Sequence, residues 1–338
     1  MRRVTKLLIG LLALLVVAVV GGLGAAVLLH IQGTAAVEEA WREYDPPEIA
    51  DLGTTRSLGI LPLVTWRTAD SHLKGEAGLS YLVRTDSTTI LLDLGLNAEE
   101  VDPSPLLHNM DALGISLDQI DAVFITHNHV DHVGGARWTR AGSFSLGNEQ
   151  ADLTGKEVFV PVPLTYPGVE PLHTPDPTVL GPGVATTGTI PRRLFIGAVD
   201  EQALVVHVAG RGLVLIVGCG HQTVPKLVER TEAVFSQPIY GIVGGLHYPV
   251  PEGRMKLLGI DVQRRFASGN GPWRPVSEED VQEAIVVLKA RQPGVVGLDG
   301  HDSGDGAIDL FREAFGPAYR DVEVGTWIRV GHVGEGAS

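Results

Sequence analysis

Basic residues are scarce in this chain: 26 lysines and arginines stand against 40 aspartates and glutamates, for a formal net charge of -14. No Lys/Arg-rich run gathers the few cations locally, so the electrostatic grip that nucleic-acid binders use is missing and nucleic acid is not an expected partner. Cysteine is scarcer still. The single Cys219 rules out an intrachain disulfide framework, and cysteine usage therefore does not distinguish a reducing from an oxidising compartment. The five tryptophans are scattered rather than interleaved with basic residues, which reads as packing. Apolar residues are plentiful, at 44% hydrophobic against 20% charged over 338 residues. That is enough for one large globular domain or two small ones and excludes a disordered chain. No internal repeat is visible.

Charge is wholly absent from Leu7 to Leu29, LLIGLLALLVVAVVGGLGAAVLL. As a helix rising ~1.5 Å per residue this run covers a ~30 Å hydrocarbon core. Arg2, Arg3 and Lys6 precede it and Glu38 and Glu39 follow, so the positive-inside bias predicts a single-pass membrane protein with a cytoplasmic N-terminus and an extracytoplasmic body. A cleaved signal peptide is the rival reading, although its apolar region is typically only ~7–15 residues. The expected organisation is an anchor and flank over residues 1–36, a linker over 37–57 and one domain over 58–335.

The body alternates strand-like and helix-like segments. Residues 78–95, GLSYLVRTDSTTILLDLG, carry a hairpin signature; 106–115 reads as a helix, and 120–125, IDAVFI, as a strand that ends at Thr126. Residues 141–191 are rich in Gly, Pro and Thr and read as an irregular insertion with a strand-like piece at 158–164. Strands follow at 203–208 and 213–217, a helix at 224–235 and a strand at 239–245. Ser277 with Asp280 forms a capping-box pattern before a helix over 281–290. One pattern recurs through these segments: an apolar strand, small residues, then a histidine, at His127, His221, His247 and His301.

The first of these loops, THNHVDHVGG, holds three histidines and an aspartate within six consecutive positions. Imidazole and carboxylate ligands suit Zn, Fe or Mn rather than Ca or Mg. In an extended backbone His127 and His129 point the same way, so one ion can take both. Asp131 and His132 lie further along the loop, where they can serve a second ion, and metals paired at ~3.5–4 Å are a known hydrolytic arrangement. Four side chains cannot fill two coordination shells, and His221 and His301 are the obvious further donors. His30, His72, His173, His207 and His332 have no ligand neighbours in sequence and are expected to be bland.

THNHVDHVGG resembles the HxHxDH signature of the metallo-β-lactamase superfamily. GLSYLV, ILLDLG, DEQALVV, GLVLIVGCGH, GIVGGLHY and GHDSG resemble, in order, further blocks of its subgroup named after a dihydropterin-type ribofuranosylaminobenzene phosphate synthase, over roughly residues 58–330. The resemblance implies an α/β fold, an αββα sandwich of two sheets with helices outside, here with an N-terminal transmembrane helix. It implies metal ligands at His127, His129, Asp131, His132, His221 and His301, and two divalent ions, most simply Zn. Cys219 falls where many members have an aspartate that bridges two metals; it is either a thiolate ligand or a small packed residue. His247 is a ligand, a proton donor to a leaving group, or a core histidine. Asn109 is placed near the site with a hydrogen-bonding role. Ala77, after Glu76, and Thr189 depart from the subgroup's pattern where substrate contacts are expected.

The expected activity is a membrane-anchored metallohydrolase acting on a small ester, phosphoester or lactone, with Asp131 orienting or deprotonating the attacking water and His247 protonating the departing group. The alternatives are a dihydropterin-type synthase or transferase, and a non-catalytic metal-binding or sensing member of the fold.

Overall fold

The computed structural model describes residues 2–195 and 197–331, so His332 and the expected domain end at 335 lie outside the described residues. The chain begins with one long helix, α1 (Arg2–Glu43), long and apolar enough to cross a membrane by length and composition. At 1.5 Å per residue it extends about 60 Å. The expected boundary at residue 36 does not mark a change of structure. Residues 33–43, GTAAVEEAWRE, are rich in the helix formers Ala and Glu and continue the helix. Nor is 37–57 a loose linker: beyond Glu43, Ile49 N–H donates to Val234 O at 2.9 Å, Leu52 is buried in the body and Thr55 N–H donates to His207 O at 2.9 Å.

The first sheet takes β1 (Ser57–Val64), β2 (Ser80–Arg84), β3 (Thr89–Leu92), β4 (Ala122–Phe124), β5 (Glu157–Val160), β6 (Leu172–His173) and the last strand, β17 (Ile328–Gly331), in the order β17-β1-β2-β3-β4-β5-β6. The second takes β7 (Thr178–Gly181), β8 (Val184–Thr186), β11 (Leu204–Val208), β12 (Gly212–Val217), β13 (Ile239–Gly244) and β16 (Val295–Leu298), in the order β16-β13-β12-β11-β8-β7. Two small hairpins stand apart: β9 (Ile190–Arg193) with β10 (Ala198–Glu201), and β14 (Lys256–Leu257) with β15 (Ile260–Asp261). Part of 141–191 is therefore not irregular. It supplies β5 and β6 to one sheet and β7 and β8 to the other, in strands of two to four residues interrupted by Pro161, Pro163, Pro175 and Pro177, too short for a period-two pattern to register.

Strand alternation sorts the side chains into layers. Along β12, Leu213, Leu215 and Val217 pack under α4 (Val224–Val234), α6 (Glu278–Lys289) and α7 (Asp305–Phe315), while Val214 and Ile216 face the other sheet. Leu58, Ile60, Tyr81, Phe124 and Val206 fill the space between the sheets. Leu61, Leu63, Leu82 and Val123 cover the first sheet's outer face against α2 (Pro105–Ala112) and α3 (Ala136–Ala141). The result is the expected four-layer αββα sandwich. A short helix, α5 (Val262–Phe266), follows β15. In α6 the expected capping box is present, with Ser277 N–H donating to Asp280 Oδ2 at 2.8 Å.

β3, β4 and β5 run parallel, as do β12, β13 and β16. Their carboxyl ends therefore emerge on one edge of the sandwich, where open α/β sheets usually place their sites.

Candidate metal centre

Five of those six strand ends, all but that of β5, deliver a polar loop to the same place. β4 leads to Thr126–His132, β12 to Cys219 and His221, β13 to His247, β16 to Asp299, His301 and Asp302, and β3 to Asp93. Gly245 is required where the β13 and β16 loops meet, since a Cβ there would lie 2.6 Å from His301 Cε1 and 2.7 Å from Asp302 Oδ2. The ligand atoms of Asp131, His132, Cys219 and His301 lie within 4.8 Å of one another, as do those of His127, Cys219 and His221 and those of Cys219, His247 and Asp302. Cys219 is common to all three groups. The structure thus brings together the expected ligand and catalytic residues His127, His129, Asp131, His132, His221, His247 and His301 and puts Cys219 among them, with Sγ 3.1 Å from His132 Nε2 and 3.4 Å from His301 Nε2.

Hydrogen bonds anchor five of the six histidines of this cluster through one ring nitrogen. His132 Nδ1 donates to Asp93 Oδ2 at 2.7 Å, His301 Nδ1 to Asp299 Oδ1 at 2.9 Å, His221 Nδ1 to Ala267 O at 3.2 Å and His247 Nε2 to Gln263 O at 3.2 Å. Thr126 Oγ1 donates to Asp93 Oδ2 at 2.6 Å, so its lone pair accepts from His127 Nδ1 at 3.1 Å. In each of these rings the second nitrogen is turned inward. His127 Nε2 and His221 Nε2 stand 3.1 and 3.2 Å from His129 Nδ1, and His247 Nδ1 is buried without a hydrogen-bond partner. Nitrogens gathered this closely suit a shared cation, and imidazoles anchored through the opposite nitrogen are how proteins orient metal ligands. The nitrogen, carboxylate and sulfur donors therefore fit a divalent transition metal.

Electrostatics agree with that assignment. Burial first, then the neighbouring imidazoles, hold His127, His132 and His221 well below the usual histidine pKa, so these rings are neutral. His247 is pushed down to about 4, chiefly by burial. At His301 burial is outweighed by the Asp302 and Asp299 carboxylates, which lift it to about 10. There a proton and a cation compete for the same nitrogen. Burial, then Asp131, Asp302, Glu201 and Asp93, raise the Cys219 thiol well above its normal value, and a thiolate at this position needs a local positive charge.

Several supporting residues were not read from the sequence. Asp93 binds Thr126 N–H at 2.8 Å besides its two side-chain partners, and Asp299 accepts from Thr65 Oγ1, from the Tyr81 hydroxyl and from the His301 amide. Glu201 receives the amides of Gly220 and His221, both at 2.8 Å. The available signal was an acid just after an apolar run, as in ILLDLG, AVDE and VVGLDG, where a buried charge needs a partner. Asn109 plays a different part from the one expected. It bonds Leu63 O and both backbone polar groups of Lys74, bracing a loop rather than reaching the cluster. Among the bland histidines, His30, His173 and His207 each bond a backbone carbonyl.

Above the ligands is a cleft of about 290 Å³ whose walls include Leu194, Met255, Val262 and Phe266, with His129, Asp131, His221 and His247 at its base.

Residues 73–235 match the sequence model of the metallo-beta-lactamase superfamily. The 7,8-dihydropterin-6-methyl-4-(beta-D-ribofuranosyl)-aminobenzene-5'-phosphate synthase of Methanocaldococcus jannaschii is 24% identical over 222 residues, covering 53% of this chain and 73% of that one. A transcription termination factor of Cenarchaeum symbiosum is 41% identical over 61 residues, 18% of this chain and 10% of its own length. The solved structure of a metal-dependent hydrolase of the beta-lactamase superfamily superposes with a TM-score of 0.55 at 20% identity, covering 81% of this chain and all of that one. The histidine loop, the layered sheets and these likenesses agree: residues 73–235 carry a metallo-beta-lactamase superfamily domain, and the chain has that superfamily's fold.

Proposed function

We propose that this protein is a membrane-anchored, outward-facing metallohydrolase with two divalent ions, most simply Zn, that cleaves an ester, phosphoester or lactone bond in a small molecule. The observation that carries the reading is the set of five buried histidines, His127, His132, His221, His247 and His301, pinned through one nitrogen and presenting the other to a common centre around Cys219.

His127, His129 and His221 would hold one ion and Asp131, His132 and His301 the other, with Cys219 between them. The ions supply Lewis acidity, which makes water a usable nucleophile near neutral pH. Asp131 lies at the base of the cleft, partly accessible, where it can orient the water and take its proton. Water's hydroxyl adds to the acyl carbon or phosphorus, the bond to the leaving oxygen breaks, and Asp131 returns the proton to that oxygen. His247 suits the role of a donor to the metal group better than that of an acid, because its proton is committed to Gln263 O and its bare Nδ1 faces Asp302 and Cys219.

A pterin-type synthase is the second reading, drawn from the similarity to the archaeal enzyme. Among the described residues no lysine or arginine lines the cleft itself to hold an aryl ribose phosphate; Arg192 and Arg274 line the neighbouring cavity that shares His221 and His247.

The test is metal content of the full chain in detergent by plasma mass spectrometry, beside His127→Ala and His301→Ala. About two equivalents of Zn, Mn or Fe in the wild type, with about one lost in each variant, is the expected result. A wild type that takes up no metal on dialysis ends the hydrolase reading.

A further inference from the structure

The apolar run of α1 ends at Leu29, and the next residue, His30, is buried against the body. Its Nδ1 donates to Leu194 O at 3.1 Å, and its ring meets Phe195 at 5.6 Å and Trp273 at 5.9 Å. Leu194 is also a wall of the metal cleft. Phe195 packs on Phe266, a second wall residue, at 5.7 Å between ring centres. The point where a membrane-type helix stops being apolar is therefore the rim of the site.

Across the cleft the rim is apolar and uncovered. Met255 lines the cleft, and from it to Ile260 six consecutive residues are exposed around the β14–β15 turn, with Leu258 95% and Leu257 64% accessible. Trp273, beside His30, is 56% accessible. In a water-facing hairpin such side chains gain nothing, whereas leucines at a hairpin tip and a neighbouring tryptophan suit a bilayer interface. Local charge points the same way. Arg254 is paired with Asp305 and Lys256 with Glu252, which leaves Arg264, Arg265 and Arg274 against Asp261 between residues 252 and 274, in a chain whose net charge is -14. A cationic patch of this kind attracts anionic headgroups.

We propose that the mouth of the metal cleft opens onto the membrane surface, with Leu257, Leu258, Ile260 and Trp273 in the interface, and that the substrate is a membrane-resident amphiphile. Its acyl chain lies along Leu194, Val262 and Phe266 while its ester or phosphoester reaches Asp131. This rests on the anchored-hydrolase reading and names the substrate class for the same site. The reaction needs only water: the ester bond breaks, the hydroxyl stays on the acyl carbon or phosphorus, and the proton leaves on the alcohol.

The experiment uses the full chain, metal-loaded, in vesicles of phosphatidylcholine and phosphatidylglycerol. A fluorophore on Leu258→Cys is compared with one on Ala209→Cys, in the turn at the opposite end of β12 from Cys219; Cys219 itself is buried and escapes labelling. Lipids spin-labelled at the headgroup are expected to quench the Leu258 site and leave the Ala209 site bright. Equal quenching at the two sites overturns the proposal. Turnover is then followed for a short-chain ester in solution and for a long-chain ester of the same headgroup in the vesicles. In a Leu257→Ser/Leu258→Ser variant the ratio of vesicle to soluble rates is expected to fall about tenfold; an unchanged ratio, or turnover of the soluble ester alone in the wild type, overturns the substrate class. Quenching at Leu258 with no turnover of either ester sinks the hydrolase reading and leaves the membrane-facing mouth standing. Soluble turnover without quenching does the reverse. Recovery of the full chain from the host's soluble fraction removes the anchor and this inference together.

Discussion

At the floor of the cleft, Asp93, Asp299 and Glu201 are fully buried, and each accepts two or more hydrogen bonds from the loops that carry the ligands. At its rim, Met255 to Ile260 are exposed one after another on a hairpin of two-residue strands. The contrast separates two kinds of constraint. A metal floor must hold nitrogens to within fractions of an ångström, so it is built where both sheets pin it and where buried carboxylates and carbonyls orient the ligand rings. A rim that meets substrate or a lipid surface needs only the right chemical character, and it can be supplied by a small hairpin tied at its base.

The sharpest way to break that contrast is Asp93→Ala. Thr126 N–H, Thr126 Oγ1 and His132 Nδ1, at 2.8, 2.6 and 2.7 Å, would lose their acceptor inside the protein. Urea unfolding should show a loss of about 3 kcal/mol or more; a loss below about 1 kcal/mol would mean that the floor is not held in this way. Next in size, Asp299→Asn takes a carboxylate from His301 Nδ1 and should weaken metal affinity by about 10–100-fold in competition with a chromophoric chelator. Unchanged affinity would reduce Asp299 to a packing residue.

The smallest effect is expected at the base of the rim. Asp305, which binds Arg254 and Arg67 at 2.8 and 2.7 Å, is held at about 2, first by its hydrogen bond from Arg254. A carboxyl with a lowered folded-state pKa contributes stability above its unfolded value of ~3.9, and that contribution disappears as the pH falls through about 2. The side chain remains 58% accessible, so screening keeps the contribution to about 0.5 kcal/mol or less. The Tm of Asp305→Asn should lie slightly below that of the wild type at pH 7 and converge with it near pH 2. A gap that widens on acidification would show that the tether has the opposite sign.

The floor was partly legible and the rim hardly at all. His127, His129, Asp131 and His132 occupy one short loop, so their spacing alone announced a metal site, and His221 and His301 were recognisable as histidines after apolar strands. Asp93 and Asp299 lie 39 and 2 residues from the histidines they orient, and neither distance distinguishes them from surface acids. The β14–β15 hairpin went unread because its strands are two residues long. The helical continuation to Glu43 was missed because a charged segment after an apolar run looks like the end of an anchor.

By itself the sequence determined the layers and the ligand types. Alternation along strands such as β12, and apolar runs that stop at Gly or His, are local patterns, and local patterns set which side chains face a core and where a strand ends. Only the tertiary structure decided which nitrogen of each histidine is bare, why Cys219 is central and where α1 meets the cleft. Those depend on carboxylates, carbonyls and rings brought together by non-local sheet pairing, and neither a proton's position nor a helix's docking surface is written in the spacing of neighbouring residues.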